Sequence, residues 1–482
     1  MPIGGFDIFI VLIYLVIVLV IGYISMKKIA SFDDYTVADR SMPMALIFAT
    51  VGATLAGGGA TIGRVSFVYE TGVVIYLAVL GVVISQMLIG QFIAPRVREL
   101  GNVYTVGDVF GYYFGKSGRL ISGVFSFLYS VGMFGVQVLA MGRILETITG
   151  FAFVPMTIVA AGVTVLYTWG GGMVAVIYTD AIQFIVLVVG IATALTLALN
   201  DIGGMEVVVD KVSAIGESHL DFTAGWSVAA LIAFFLTFLL GEALAPFYIQ
   251  RYASAKTERD SKLSVTYFGL FYFFMTVVVI VIGLIGVVLL PGVDSDLVFT
   301  RMIMEYMPTG VVGVVFGALI AAVMSTGDSI LNTTSTIFTR DIYQKFINPN
   351  ATDKQLLNLA KWSTLIVGAG GITVALMIPN VFDLMVFIFD LWAPSIVPVI
   401  AIALLLGKAK ERVISPFAAI PAMLAGIVVS LVWNYVLHEP FELPSLIAGI
   451  IANLLTIFIV HKLTSKKQPS KGFSQESLDL EA

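Results

Sequence analysis

Residues 52–63 read GATLAGGGATIG and residues 239–246 read LLGEALAP, and both stretches lie inside long apolar runs. An interior glycine costs a helix roughly 1 kcal/mol relative to alanine. Gly57, Gly58 and Gly59 in a row, flanked by Thr54 and Thr61, therefore favour an unwound joint. Close helix packing over small residues is the competing reading. In the second stretch Pro246 removes a backbone donor and crowds the preceding turn. Glu242, beside Gly241, falls at membrane depth, where a carboxylate points to a polar cavity.

What the two interruptions mean depends on the runs that hold them. Of 482 residues, 59% are hydrophobic and 12% charged, against about 25% charged in ordinary soluble domains. A helix of about 20 residues crosses a hydrocarbon core of roughly 30 Å. Such runs recur at 6–26, 42–71, 73–95, 120–146, 152–169, 173–199, 225–248, 264–291, 310–338, 362–379, 382–407, 414–437 and 443–462. The chain thus reads as an all-α polytopic membrane protein with about thirteen spans. Its interruptions fall in spans two and seven, five apart. Broken helices at matching places in two five-helix halves point to an inverted-repeat secondary transporter with its site at the bilayer midplane. Carbonyls freed at a break suit a cation, and half-helix N-termini suit an anionic group.

Basic residues set the expected orientation. Taking alternate connections, one set with the C-terminal tail holds 22 of the 26 Lys and Arg, including Arg119, Arg251 and Arg340; the other holds only Lys211 and Arg301. By the positive-inside rule the N-terminus lies outside and the C-terminus in the cytoplasm of a multi-pass cell-membrane protein. The run Phe6 to Ile24 follows no basic residue and is too long for a signal-peptide core, so it reads as a retained helix. Segment 104–118 reads as a short surface helix on the cytoplasmic side, and the polar tail 464–482 as disordered. The absence of cysteine excludes disulfides and thiolate chemistry, and the three histidines do not cluster.

Span nine carries a polar stripe. At 100° per residue Ala322, Ser325, Thr326, Ser329, Asn332 and Thr333 share one helix face, with Asp328 at its edge. Hydroxyls that bond back to their own helix are the plain alternative. An intramembrane acid is a functional hypothesis by default, and Asp180 in span six, beside Thr179 and one turn before Gln183, is a second. Hydroxyls, carbonyls and one or two carboxylates are the oxygen inventory of a sodium site.

Three motifs in matching order carry a family resemblance: AAVMSTGDSILNTTSTIFTRDIY at 321–343, LYTWGGGMVAVIYTDAIQF at 166–184 and VLAMGRILETITG at 138–150. With these the chain resembles the sodium/solute symporter family, in particular its sodium–proline and choline-transporter-like branches. The resemblance implies a LeuT-like core of two inverted repeats. The expected divisions are 1–41 (first helix and loop), 42–200 (spans two to six), 201–407 (spans seven to eleven), 408–463 (spans twelve and thirteen) and the tail. It also implies a main sodium site of the Ala53, Ala56 and Ala322 carbonyls with the Ser325 and Thr326 hydroxyls. In some relatives a second cation site matches Asp180, Asp328 and Ser329. Here the two carboxylates either hold a cation or share a proton.

The substrate candidates are Thr54, Leu55, Gly58, Arg64, Phe238, Glu242 and Pro246. Pro246 matches the proline branch, but Glu242 stands at its tyrosine and Phe238 at its tryptophan. Leu55 and Ala245 replace two tryptophans of the choline branch, so an aromatic cage for a quaternary ammonium is not evident. Arg64 and Glu242 either bracket a zwitterion or neutralise each other, with Glu70 as another partner for Arg64. Asp390 either lines an outer gate or caps a helix.

Other signals fail. GYYFGKS at 111–117 has three residues between its glycines where a phosphate-binding loop needs four. The acceptor-like triplet at Asn332 lies within or near the membrane. The expectation is a symporter, not an enzyme or channel, with neither ATP nor nucleic acid as partner. It imports a small polar solute, an amino acid such as proline or a related zwitterion or carboxylate, with Na+ by alternating access. Proton coupling and a choline- or betaine-type substrate are the alternatives.

Overall fold

The computed structural model describes residues 3–26, 31–378, 380–406, 413–440 and 443–464. Lys27, Lys28, Lys408, Lys410, Arg412 and the tail beyond residue 464, all used in the charge reading, lie outside the described residues. Among the described residues the regular structure is all helical, apart from one isolated bridge between Met42 and Ala255. Among them ten helices are long and apolar enough to cross a membrane. The shorter apolar helices Met44–Leu55, Phe153–Leu166 and Val228–Leu240 coincide with the other three expected runs, so the count of thirteen is neither reached nor replaced by length and composition. Large apolar side chains such as Leu12, Leu166, Val228 and Leu463 face outward, an arrangement that suits lipid and not water.

Both predicted interruptions are present. Helix Met44–Leu55 stops at Ala56, and a wide turn over Gly59–Gly63 leads into Arg64–Thr71. Its wide pitch is seen where the Gly63 N–H donates to the Gly58 carbonyl, five residues back (3.0 Å). In the second case Val228–Leu240 ends at Gly241, and a new helix starts at Pro246. Between them Leu244 takes a left-handed φ of 58°, which is costly for a branched residue. The Ala243 carbonyl freed there accepts from the Trp392 indole (3.0 Å).

Helix Val311–Ile337, which carries the polar stripe, is buried over nearly its whole length. It packs on Phe153–Ile202, Val106–Thr149, Gly5–Met26, Asp353–Met377 and Met44–Leu55. Its start is fixed by Asp7, whose Oδ1 accepts from the N–H groups of Gly310 (2.7 Å) and Gly313 (2.8 Å). A carboxylate there also faces the positive end of the helix dipole. Gly172, at φ 54°, divides Phe153–Ile202 where spans five and six were expected to part.

Two expectations need correction. Segment 104–118 is helical from Val106, with a left-handed break at Gly115, but it is not a surface helix: Asp108, Phe110 and Tyr113 are buried. Arg119 and Arg251, counted among loop cations, are buried as well. Arg119 joins Asp108 (2.5 Å) and Asp341 (2.9 Å). Burying a charge is tolerated when it is paired and hydrogen-bonded, and each arginine found a carboxylate far away in sequence.

Candidate functional site

The first break and the polar stripe face each other. The Ser325 hydroxyl donates to the carbonyls of Ala53 (3.1 Å) and Ala322 (3.0 Å). Thr326 reaches the carbonyls of Thr54 (2.9 Å), Ala322 (3.0 Å) and Ala53 (3.4 Å). In an unbroken helix the Ala53 and Thr54 carbonyls would accept from residues four further on. Here helical bonding lapses after the Ala56 N–H bonds Gly52 and resumes with Ala60 and Thr61 on Gly57. The carbonyls left over are met by hydroxyls from the facing helix. Five oxygens thus converge in a buried patch: three carbonyls and two hydroxyls. They are hard, neutral ligands of the kind that suits an alkali cation. Ala56 lies at the end of the helix, buried, and no bond of its carbonyl links it to this group.

Gly57 and Gly58 permit the approach. A Cβ on Gly57 would meet the Thr326 hydroxyl and Cβ, and one on Gly58 would meet Ala140. The Gly58 N–H donates to Gln137 Oε1 (2.8 Å). Gln137 and the Thr54 carbonyl were not foreseen as part of this group. The glutamine had a signal, being a lone amide in the apolar run FGVQVLAMG.

The second set of expected ligands is also assembled, with an unexpected member. Asp180 accepts from Thr50, and Thr54 Oγ1 lies 3.4 Å from Ser329 Oγ. Among them stands the Arg251 guanidinium. It donates Nε to Thr50 Oγ1 (3.0 Å), Nη1 to the Phe247 carbonyl (2.9 Å) and Nη2 to Asp180 (3.2 Å) and to Ser329. Arg251 and Asp180 are wholly buried. Asp328 Oδ1 accepts from Ser329 (3.3 Å), while Asp180 Oδ1 and Asp328 Oδ2 are buried without a hydrogen-bond partner among the described residues. Further along the stripe, Asn332 and Thr333 bond Gln250 and the carbonyl of Tyr35, tying the helix to the short helix Phe32–Val37.

The substrate candidates divide. Thr54, Leu55 and Gly58 lie at the first break, and Glu242 and Pro246 at the second. Arg64 is buried and Glu242 half-buried, but neither enters an ion pair among the described residues, with each other or with Glu70. Arg64 lies over the Tyr272 ring (5.0 Å) and donates to Thr276 (3.4 Å). Glu242 accepts from Tyr248 (2.7 Å). Around them Arg64 Nε and the hydroxyls of Tyr129 and Tyr272 are buried with no hydrogen-bond partner among the described residues. Buried polar atoms are normally paired, so this group is short of acceptors.

Phe238 packs on Phe382 (5.8 Å) and Phe389 (5.9 Å) and lines a cavity of about 700 Å³. Trp226, Asp383, Asp390 and Glu439 also line it. Its connecting residues belong to the loops poor in Lys and Arg. Asp390 stands at the wall of this cavity.

Comparison with known proteins assigns the arrangement. The family model described as "Sodium:solute symporter family" matches residues 35–426. The osmoregulated proline transporter OpuE of Bacillus subtilis (strain 168) is 26% identical over 436 residues, covering 87% of each chain. A sodium/glucose cotransporter of Vibrio parahaemolyticus is 26% identical over 455 residues, 86% of this chain and 84% of that protein. A Na+-coupled sialic acid symporter, solved in a substrate-bound outward-open state, superimposes with a TM-score of 0.83 at 18% identity over 97% of this chain and 99% of that one. The fold is that of the LeuT-like sodium symporters. Residues 35–426 cover most of the chain, so the protein belongs to the sodium:solute symporter family and carries a small organic solute together with sodium.

Proposed function

We propose that the protein imports a small zwitterion, an amino acid such as proline, driven by sodium bound between the first helix break and the polar stripe. The observation that carries this reading is the convergence of the Ala53, Thr54 and Ala322 carbonyls on the Ser325 and Thr326 hydroxyls. Alternating access then follows from how the site is shared. Two of its oxygens sit on a broken helix and three on a continuous one, so the ion favours the state in which the two are apposed. A ligand shifts a conformational equilibrium only by its differential affinity for the two states. Divisions 42–200 and 201–407 are the repeats that would move about the site.

The solute is assigned to the space between Arg64 and Glu242. A carboxylate would satisfy the free Arg64 Nε, and an ammonium or imino group would face Glu242 and the unpaired tyrosine hydroxyls. Charge-assisted bonds of this kind are the strong ones. The proline transporters among the relatives support an amino acid, and the absence of a tryptophan at Leu55 and Ala245 argues against choline. The 700 Å³ cavity above Phe238 serves as the outer vestibule, with the N-terminus outside and the C-terminus cytoplasmic.

One charge crossing 100 mV releases about 2.3 kcal/mol, and a tenfold sodium gradient adds about 1.4 kcal/mol. Together they support accumulation of a few-hundred-fold per sodium ion. Uptake into proteoliposomes from a panel of amino acids, betaines and sugar acids, under an imposed sodium or proton gradient, tests the reading. Accumulation of proline or another zwitterion that follows sodium supports it. Accumulation that ignores sodium and follows pH overturns the coupling assignment.

A further inference from the structure

We infer that the cavity beside Phe238 is a second ligand site, distinct from the space between Arg64 and Glu242, and that it takes an organic ammonium compound with a flat apolar body. The inference goes beyond the transport reading and borrows from it only the cavity's place on the entry path. A volume of about 700 Å³ falls within the roughly 300–1,000 Å³ of sites for small organic ligands. The wall offers two kinds of surface. Trp226, Phe234 and Phe382 bring aromatic rings, and Asp383, Asp390 and Glu439 bring carboxyl groups. No lysine or arginine lines the cavity among the described residues. Nor does any of the three acids enter an ion pair among them.

Both surfaces are held in place by the chain around them. Glu439 stands on two consecutive left-handed residues, His438 (φ 55°) and Glu439 itself (φ 51°). That backbone is costly outside glycine and persists where its surroundings enforce it. Here the Glu439 N–H donates to the Trp433 carbonyl (2.9 Å), and Oε1 accepts from the Ser445 N–H (2.9 Å). Asp390 comes from a separate element, Val381–Leu406, where its carbonyl accepts from the Ser430 hydroxyl (3.2 Å). The Trp226 N–H donates to the Thr223 carbonyl (2.8 Å), and its ring meets Phe234 edge-on (5.2 Å). Phe67 joins them, stacked on Phe234 (5.3 Å) and tilted against Phe382 (4.5 Å). Aromatic faces attract an ammonium group, and a carboxylate gives it a charge-assisted bond. The two sites differ in sign. Arg64 calls for a carboxylate, which a simple amine lacks, so such a compound stays in the cavity. Seated there, it stands over Phe238 and obstructs entry.

The test is thermal stabilisation of the purified full-length protein by phenethylamine, 2-phenylethanol and phenylacetate, three probes that share one ring and differ in charge. Phenethylamine is expected to stabilise saturably, 2-phenylethanol to need at least tenfold more, and phenylacetate to do nothing. Asp390→Asn with Glu439→Gln should weaken phenethylamine at least tenfold, and Trp226→Ala should weaken it as well. Arg64→Gln with Glu242→Gln should leave it unchanged. Equal stabilisation by all three probes overturns the inference, as does undiminished phenethylamine binding in the Asp390–Glu439 double variant. Loss of binding in the Arg64–Glu242 double variant overturns it too, by moving the amine to the centre. The ranking of the three probes on wild type decides the matter even where a double variant does not fold. Failure of the zwitterion reading looks different: proline would then give no stabilisation while phenethylamine still does.

Discussion

Gly57→Ala probes the contact between the two broken and unbroken elements with a single methyl group. The added Cβ would stand 2.8 Å from Gln137 Oε1 and 2.9 Å from Thr326 Cβ, and closer still to the Thr326 hydroxyl. Ordinary contact begins at 3.4 Å, so the helices must part by about 0.5 Å to relieve the Thr326 Cβ contact. Thr326 cannot swing aside, because its β-branched side chain is stiff and its helix is enclosed on every face. Overpacking of this kind costs about 1–3 kcal/mol in stability. It also draws the Thr326 hydroxyl away from the Thr54 and Ala53 carbonyls, now 2.9 and 3.4 Å distant. A contact to a charged partner contributes about 1.5–3 kcal/mol, so half-saturating sodium should rise roughly 10- to 150-fold. The assay is the melting midpoint of purified protein against sodium concentration at fixed ionic strength. Gly162→Ala is the control, since a Cβ there meets nothing within 4 Å. Gly57→Ala with wild-type sodium dependence would refute the reasoning.

The buried pair Arg251–Asp180 makes a second case: Asp180→Asn should lower stability by about 3–5 kcal/mol, and adding Arg251→Met should recover most of it. Strictly additive losses in the melting midpoints would mean the pair is not coupled. For the solute, Arg64→Gln and Glu242→Gln should each weaken proline binding tenfold or more, about 1.4 kcal/mol, in a competition uptake assay; unchanged affinity in both would remove them from the site. Asp296 gives a pH dependence. Burial pushes its carboxyl up to about 6, opposed by the Val381 N–H and Arg143. The folded state thus holds this proton more tightly than the unfolded chain, and the associated stability, full below pH 4, is lost as pH rises through about 6. Asp296→Asn should flatten that slope in a series of melts from pH 4 to 7, and an unaltered slope would count against it.

What could be read from the sequence was whatever depended on local chemistry. Three adjacent glycines and a Gly-Glu…Pro stretch announce breaks because the backbone penalty lies in the residues themselves. The stripe from Ala322 to Thr333 follows from helical spacing alone. Arg251 could not be placed in the same way. It stands just past an apolar run, where a loop cation and a buried one look alike, and its carboxylate lies 71 residues away at Asp180. Arg119 misled for the same reason, its partner Asp341 being 222 residues distant. Segment 104–118 reads as a surface helix from its own residues, and nothing in them shows that Arg119 and Arg340 pair with Asp108. That Arg64 and Glu242 form no ion pair among the described residues is equally hidden, since contact between side chains on different elements is a matter of packing.

The most direct measurement is sodium-driven uptake into proteoliposomes by wild type and by Ser325→Ala with Thr326→Ala, across a range of external sodium. Loss of both hydroxyls should raise the sodium needed for half-maximal uptake at least tenfold while protein abundance and folding are retained. Half-maximal uptake at the wild-type sodium concentration in that double variant would place the coupling ion elsewhere.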